Sequence, residues 1–179
     1  MEYKVKIGDP LDEKMTVGPL AVQRNLKELK QQLHNAVERD GGRIIYGDPE
    51  FKIDDQKLEE GNWMHPIVTE GISTQAPSFH EEFYGPVFNL YKANTPKEAL
   101  DIANASDYGL AGTIFTEDLD LAENYAVKMR VGSVTINDMM ASFSDLPSGG
   151  IKMSGFGREC YRDGLMEIAY RKSIIGKNW

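Results

Sequence analysis

Glu82 and Tyr84 stand two residues apart in the run Glu81-Glu82-Phe83-Tyr84-Gly85-Pro86-Val87. On an extended segment residues i and i+2 point to the same side, so a carboxylate and an aromatic ring would face one space, a pair able to grip a ribose and a flat ring. The competing reading is a solvated glutamate beside a core aromatic, the commoner fate of both residue types. A second dense stretch runs Leu146-Pro147-Ser148-Gly149-Gly150-Ile151-Lys152-Met153-Ser154-Gly155-Phe156-Gly157-Arg158-Glu159. Its Gly155-Phe156-Gly157 opens like a dinucleotide fingerprint. However, Cys160 takes the place of the third small residue and no apolar strand precedes the run, so a phosphate loop is rejected. Glycines allow positive φ and close backbone approach, and the expectation is a segment threading tightly over a sheet.

The other reactive residue types group poorly. Cys160 is the single cysteine; it falls in the expected helix after the glycines and reads as a small packing residue. His34, His65 and His80 show no ligand spacing with one another or with Cys160, so no metal site is expected. Glu59-Glu60 and Glu81-Glu82 read as solvated pairs, Glu82 excepted. The acidic run Thr116 to Asp120 lacks the glycine and terminal glutamate of a calcium loop and suits a helix start.

These residues must be positioned by a chain of 179 residues with net charge −8, from 20 Lys plus Arg against 28 Asp plus Glu. That excess of acid leaves no electrostatic footprint for nucleic acid or an anionic membrane. One cysteine excludes an internal disulfide framework. Neither a charged and apolar leader nor an apolar run of about 18 residues appears, so a cytoplasmic protein is the expectation. No repeat, low-complexity tract or charge block marks a linker, and residues 1–179 are read as one domain.

Val22, Leu26, Leu29, Leu33 and Val37 recur at helical spacing and Gly41-Gly42 stops them, which predicts a helix followed by a strand over 43–47. A polar stretch over 48–61 leads toward Trp63 to Val68. Strands are then expected at 87–91, 109–116 and 133–136, with helices at 96–104 and about 118–130 between them. Thr95, Pro96 and Glu98 make a capping box, and Thr116 is taken as the next cap. The alternation predicts two βαβ units and an α/β fold with a mainly parallel sheet flanked by helices. A helix near 159–168 and a last strand over 172–176 complete the pattern; a strand at a terminus needs a partner, in this chain or in another.

Taken together the two dense stretches resemble the aldehyde dehydrogenase superfamily. Gly149, Gly150, Lys152, Ser154, Gly155, Gly157, Arg158 and Glu159 meet its Gly-Gly-x-Lys-x-Ser-Gly-x-Gly-Arg-Glu signature. Ile7 to Leu11, Val17 to Leu20, Asn104 to Leu110 and Ile136 to Asp138 match further landmarks in the right order, and the run from Ile136 to Leu146 is similar to the succinic semialdehyde dehydrogenase branch. The resemblance runs from about Lys4 to the C-terminus. In the family these landmarks belong to the C-terminal part of the catalytic domain, ending in an oligomerisation strand.

The resemblance assigns Glu82 to the nicotinamide ribose and Tyr84 to the nicotinamide site, with NAD or NADP as cofactor of the full-length enzyme. Many members have an aromatic after the residue matching Pro147 and another near Ser142. Here Ser148 and Ser142 stand there, implying a roomier, more polar pocket suited to hydroxylated or carboxylated aldehydes, although serine in a loop is more often a solvated turn residue.

The family's reaction uses a cysteine thiolate, an oxyanion-holding amide and a glutamate base, all upstream of the segment matching this chain. The expectation is therefore that this chain carries no catalytic residue, binds no cofactor alone, and is inactive alone. It would work as part of an enzyme oxidising a small polar aldehyde, as a homo-oligomer or with a complementing N-terminal half. The alternatives are one half of a split dehydrogenase, and a non-catalytic protein that binds full-length subunits.

Overall fold

A computed structural model describes residues 5–177, and the chain gathers into two compact units, Met1–Ala93 and Asn94–Trp179, where the sequence reading places no boundary. In the first unit the helical pattern becomes α1 (Gln23–Glu38). Its apolar stripe buries Leu29 and Leu33 against Met64 and Ile67, with Leu20, Leu26, Ile44, Phe83 and Val87 packed around them. Gly41, at φ +75°, turns the chain off the helix, and the Gly42 N–H donates to Ala36 O at 2.8 Å, satisfying a terminal carbonyl that the helix leaves open.

Beyond the turn, β1 (Arg43–Tyr46), β2 (Ile67–Glu70) and β3 (Val87–Leu90) form a sheet in that order. β1 is antiparallel to β2 and β2 is parallel to β3, Ile67 facing Val87 and Glu70 facing Leu90. The central strand buries Ile67 and Thr69 completely, and the Thr69 hydroxyl donates to Asn89 Oδ1 at 2.6 Å. Between β2 and β3 lies the single turn α2 (Pro77–His80).

α1 and α2 are joined through Asp40, whose side chain is only 4% exposed. Its carboxylate takes two bonds of 2.7 Å from the Arg39 guanidinium and accepts the Ser78 N–H at 3.0 Å. The Arg39 hydrogen bond holds this carboxyl well below its usual range, helped by Ser78 and opposed by burial.

In the second unit α3 (Pro96–Ala105) opens as expected, the Glu98 N–H donating to Thr95 Oγ1 at 3.1 Å. The Glu98 carboxylate reaches one residue further back than a capping box does, accepting the Asn94 N–H at 2.7 Å. The expected strand over 109–116 is broken at Leu110 into β4 (Tyr108–Gly109) and β5 (Ala111–Ile114). After α4 (Leu119–Lys128), β6 (Ser133–Ile136) pairs parallel with β5 over four residues, and β4 pairs antiparallel with β7 (Ile151–Lys152). α5 (Tyr161–Glu167) follows the glycine run. The chain is α/β, and its described residues form two parallel and two antiparallel strand pairs.

Three expectations are corrected. The strand β3 finds its parallel partner in β2, and β5 finds its own in β6, so only the second βαβ pairing forms as drawn. The cap of α4 is Asp118, which accepts the Leu121 N–H at 2.9 Å, while Thr116 Oγ1 accepts the Asp118 N–H in the turn before it. Residues 172–176 join no ladder among the described residues and form no strand, and Ile174 and Ile175 are 72% and 95% exposed.

Asp118→Ala should cost about 1 kcal/mol in urea unfolding, as loss of an N-cap oxygen does, and more than Thr116→Val. Asp40 has a depressed folded-state pKa, so its stabilising charge is fully present above the usual 3.8 and is lost as pH falls through and below that value. Asp40→Asn should therefore be less stable than the parent chain at pH 7, with the difference shrinking on acidification from pH 5 toward pH 3; a difference constant over that range would contradict the assignment.

Candidate functional site

The segment carrying Glu82 and Tyr84 runs over α1 before entering β3. Phe83 turns inward to the core cluster, while Glu82 and Tyr84 face outward, Tyr84 with 70% of its surface exposed. The alternation expected of an extended segment is thus realised, and both side chains open on one groove of about 360 Å³ whose other wall is α1, through Asn25, Glu28, Leu29, Gln31 and Gln32. Gln32 Nε2 donates to the Glu82 carbonyl at 3.1 Å, fixing the backbone and leaving the carboxylate to the groove. Gly85 permits the crossing, because a Cβ there would run into the Leu29 side chain and touch Leu20 at 3.4 Å.

The second pair lies in the other unit. Ser142 and Ser148 line one cleft of about 80 Å³ between β6 and the loop that follows it. Ser142 is exposed and Ser148 half-buried; the Ser148 and Glu159 backbones exchange hydrogen bonds at 2.9 and 2.8 Å, closing the glycine run into a loop. Met140, Phe143, Leu146 and Pro147 share the lining, so the cleft is more apolar than the two serines alone imply. Phe143, one residue beyond Ser142, supplies an aromatic that the sequence reading passed over. The loop is launched by Asn137, at φ +54°, whose side-chain amide accepts the Thr116 N–H and donates to Thr116 O, both at 2.8 Å, as one more rung after β5 and β6.

The polar members of the glycine run are fasteners. Ser154 Oγ accepts the Gly109 N–H at 2.9 Å, and Arg158 Nη1 donates to Gly150 O at 2.9 Å and Gly157 O at 2.6 Å. Lys152 Nζ donates to the backbone carbonyls of Asn104, Ser106 and Tyr108, from the last turn of α3 to the start of β4; burial, then the nearby Arg130, lower its pKa, and Asp107 acts against them. The glycines make room: a Cβ on Gly132 would overlap the Gly149 carbonyl oxygen, and one on Gly150 would lie 2.7 Å from Ser154 Cβ. Cys160 is the residue before α5, at φ +61°. Among the described residues no three His, Cys, Asp or Glu side chains converge as a metal site would require, and no helix is long and apolar enough to cross a membrane.

A sequence profile of the aldehyde dehydrogenase family matches residues 2–174. The chain belongs to that family. It is 36% identical over 168 residues to the succinate-semialdehyde dehydrogenase [NADP(+)] of Deinococcus radiodurans, covering 93% of this chain and 34% of that protein. It is 35% identical over 171 residues to the 4-trimethylaminobutyraldehyde dehydrogenase of Bos taurus, covering 96% and 34%. A betaine aldehyde dehydrogenase of Staphylococcus aureus crystallised with NAD+ superposes with a TM-score of 0.84 at 33% identity, over 91% of this chain and 32% of that one. The succinic semialdehyde dehydrogenase of Streptococcus pyogenes in complex with NADP+ gives 0.82 at 35%, over 90% and 34%. The chain spans about a third of the length of the curated relatives it matches.

Within this aldehyde dehydrogenase chain Gly85 is the residue that lets the Glu82–Tyr84 segment lie on α1. Gly85→Val should lower stability by about 1–3 kcal/mol through overpacking against Leu29, and a Leu29→Ala change in the same chain should recover part of the loss. Urea unfolding of the two variants checks this; a Gly85→Val chain as stable as the parent would show that the segment does not rest on Leu29.

Proposed function

We propose that residues 1–179 act as the C-terminal portion of an NAD(P)-dependent aldehyde dehydrogenase subunit that oxidises a small polar aldehyde to its carboxylic acid, in the cytoplasm. The observation that carries the reading is the pairing of Glu82 and Tyr84 on one wall of one groove, within a chain of this family. Their chemistry fits a nicotinamide nucleoside: the carboxylate accepts hydrogen bonds from two vicinal ribose hydroxyls, and the exposed phenol ring offers a flat apolar surface. When bound, the nicotinamide would accept the hydride of the aldehyde. The residues of this chain hold and orient: Gln32 and Gly85 fix the segment, Glu82 the ribose, and Tyr84 the ring.

Ser142 and Ser148 are proposed on the substrate side, with Phe143 beside them, where their hydroxyls would meet a polar substituent of the aldehyde. The matched relatives named for succinate semialdehyde and 4-trimethylaminobutyraldehyde support a short aldehyde with a polar far end. No residue of this chain is assigned the nucleophile. Cys160 is the residue before α5 and is not among the residues that line the cleft, so the thiolate, the water-activating base and the rest of the cofactor site are expected from another stretch of polypeptide. The exposed Ile174 and Ile175 favour association, with a second copy or with a complementing N-terminal half.

The purified chain mixed with succinate semialdehyde and either NAD+ or NADP+ should form no NAD(P)H. Grafted in place of the matching third of the Escherichia coli succinate semialdehyde dehydrogenase Sad, to which it is 36% identical, the same chain should support turnover, and Glu82→Ala in the graft should raise the cofactor KM by tenfold or more. NAD(P)H formation by the chain alone, or an unchanged KM in the Glu82→Ala graft, would overturn the reading.

A further inference from the structure

Three backbone carbonyl oxygens of the second unit converge on one point. Asn104 O, Ser106 O and Tyr108 O lie 3.0, 2.8 and 3.4 Å from Lys152 Nζ. Asn104 is in the last turn of α3 and Ser106 is its C-cap, so two of the three are helix-terminal carbonyls without intrahelical partners, at the negative end of the helix dipole. Oxygens so disposed in a half-buried position need hydrogen-bond donors or a cation, since a buried carbonyl left unpaired is costly.

The three ligating oxygens are neutral carbonyls, with the Asp107 carboxylate acting on the ammonium through its charge. A divalent ion held by oxygen normally takes carboxylates among its ligands. Carbonyls alone suit a monovalent cation, either an ammonium with its three N–H donors or an ion of potassium's kind, whose hydration shell carbonyls can replace. We propose that this carbonyl cluster is a monovalent-cation site of ammonium or potassium size, and that its resident ion is the chain's own Lys152.

The surroundings deliver that side chain. Lys152 is held at φ +55°, a backbone conformation costly for a residue with a Cβ. Its neighbours are pinned to the same turn: the Met153 N–H donates to Asp107 O at 3.0 Å, and Ser154 takes the Gly109 N–H. The Asn104 side chain in turn accepts the Arg130 N–H at 2.6 Å and donates to Lys128 O at 3.0 Å, so the cation ties the ends of α3 and α4 to the glycine loop. Filling the site with a tethered ion makes the junction independent of the salts in solution.

The test is to remove the tether and supply the ion. Lys152→Gly deletes the stem and relieves the positive φ; Lys152→Met keeps the stem in place without the charge. Melting is measured at constant ionic strength in tetramethylammonium, ammonium and potassium chloride. In tetramethylammonium both variants should melt below the parent chain. Ammonium and potassium should raise the melting temperature of Lys152→Gly saturably, and leave Lys152→Met and the parent where they were. A Lys152→Gly chain that responds to ammonium and potassium no more than to tetramethylammonium overturns the proposal, as does an equal response from Lys152→Met. If neither variant folds in any of the salts, nuclear magnetic resonance of the parent decides. A slowly exchanging lysine ammonium coupled to the carbonyl carbons of Asn104 and Ser106 supports the site, and its absence refutes it.

Discussion

Close approach to the backbone at positions where a Cβ would collide is the constraint on which this structure rests. In the first unit Gly85 lets an extended segment lie on Leu29 of α1 and so gives Glu82 and Tyr84 their common wall. In the second, Gly132 accepts the Gly149 carbonyl at a distance no Cβ would allow, and Gly150 admits Ser154. Chains brought this near leave carbonyls out of reach of water, and each needs a donor. Arg158 supplies it to Gly150 and Gly157. Lys152 serves instead the carbonyls at the end of α3 and beyond it, so both cations of the signature are engaged by the backbone.

This division of labour separates the residues that hold the fold from those that line open surfaces. The reactive-looking residues of the glycine loop are spent on holding it, and the loop in turn sets one border of the cleft that Ser142, Phe143 and Ser148 line. Asn137 directs the chain into that cleft by lending its amide to the strand pair. What remains available is a set of binding surfaces: a carboxylate and a ring on one unit, and a small mixed cleft on the other.

Much of this was legible in the residues because it is local. Helical spacing from Val22 to Val37 marked α1 to within a residue, Thr95-Pro96-x-Glu98 marked the start of α3, and the inward Phe83 between outward Glu82 and Tyr84 follows from the two-residue period of an extended chain. The features that escaped depend on distant partners. Whether β3 pairs with β2 or with a later strand is not written near β3, and β7 exists only because Gly109 lies opposite Ile151. The residues 172–176 have strand composition and no ladder. At α4 two oxygens competed for one cap, and a single position in sequence separated Thr116 serving the turn from Asp118 serving the helix. Phe143 stands one residue beyond Ser142, so a position-by-position match to the family meets only the serine.

The proposed function makes these residues one part of an aldehyde dehydrogenase whose nucleophile lies on other polypeptide. It is tested most directly by isolating the native protein from its source cells with an antibody to this chain, and determining by mass spectrometry every polypeptide recovered. The account predicts that the 179 residues are recovered joined to, or bound by, sequence carrying the family's cysteine nucleophile and cofactor domain. Recovery of a lone 179-residue chain with no companion would contradict it.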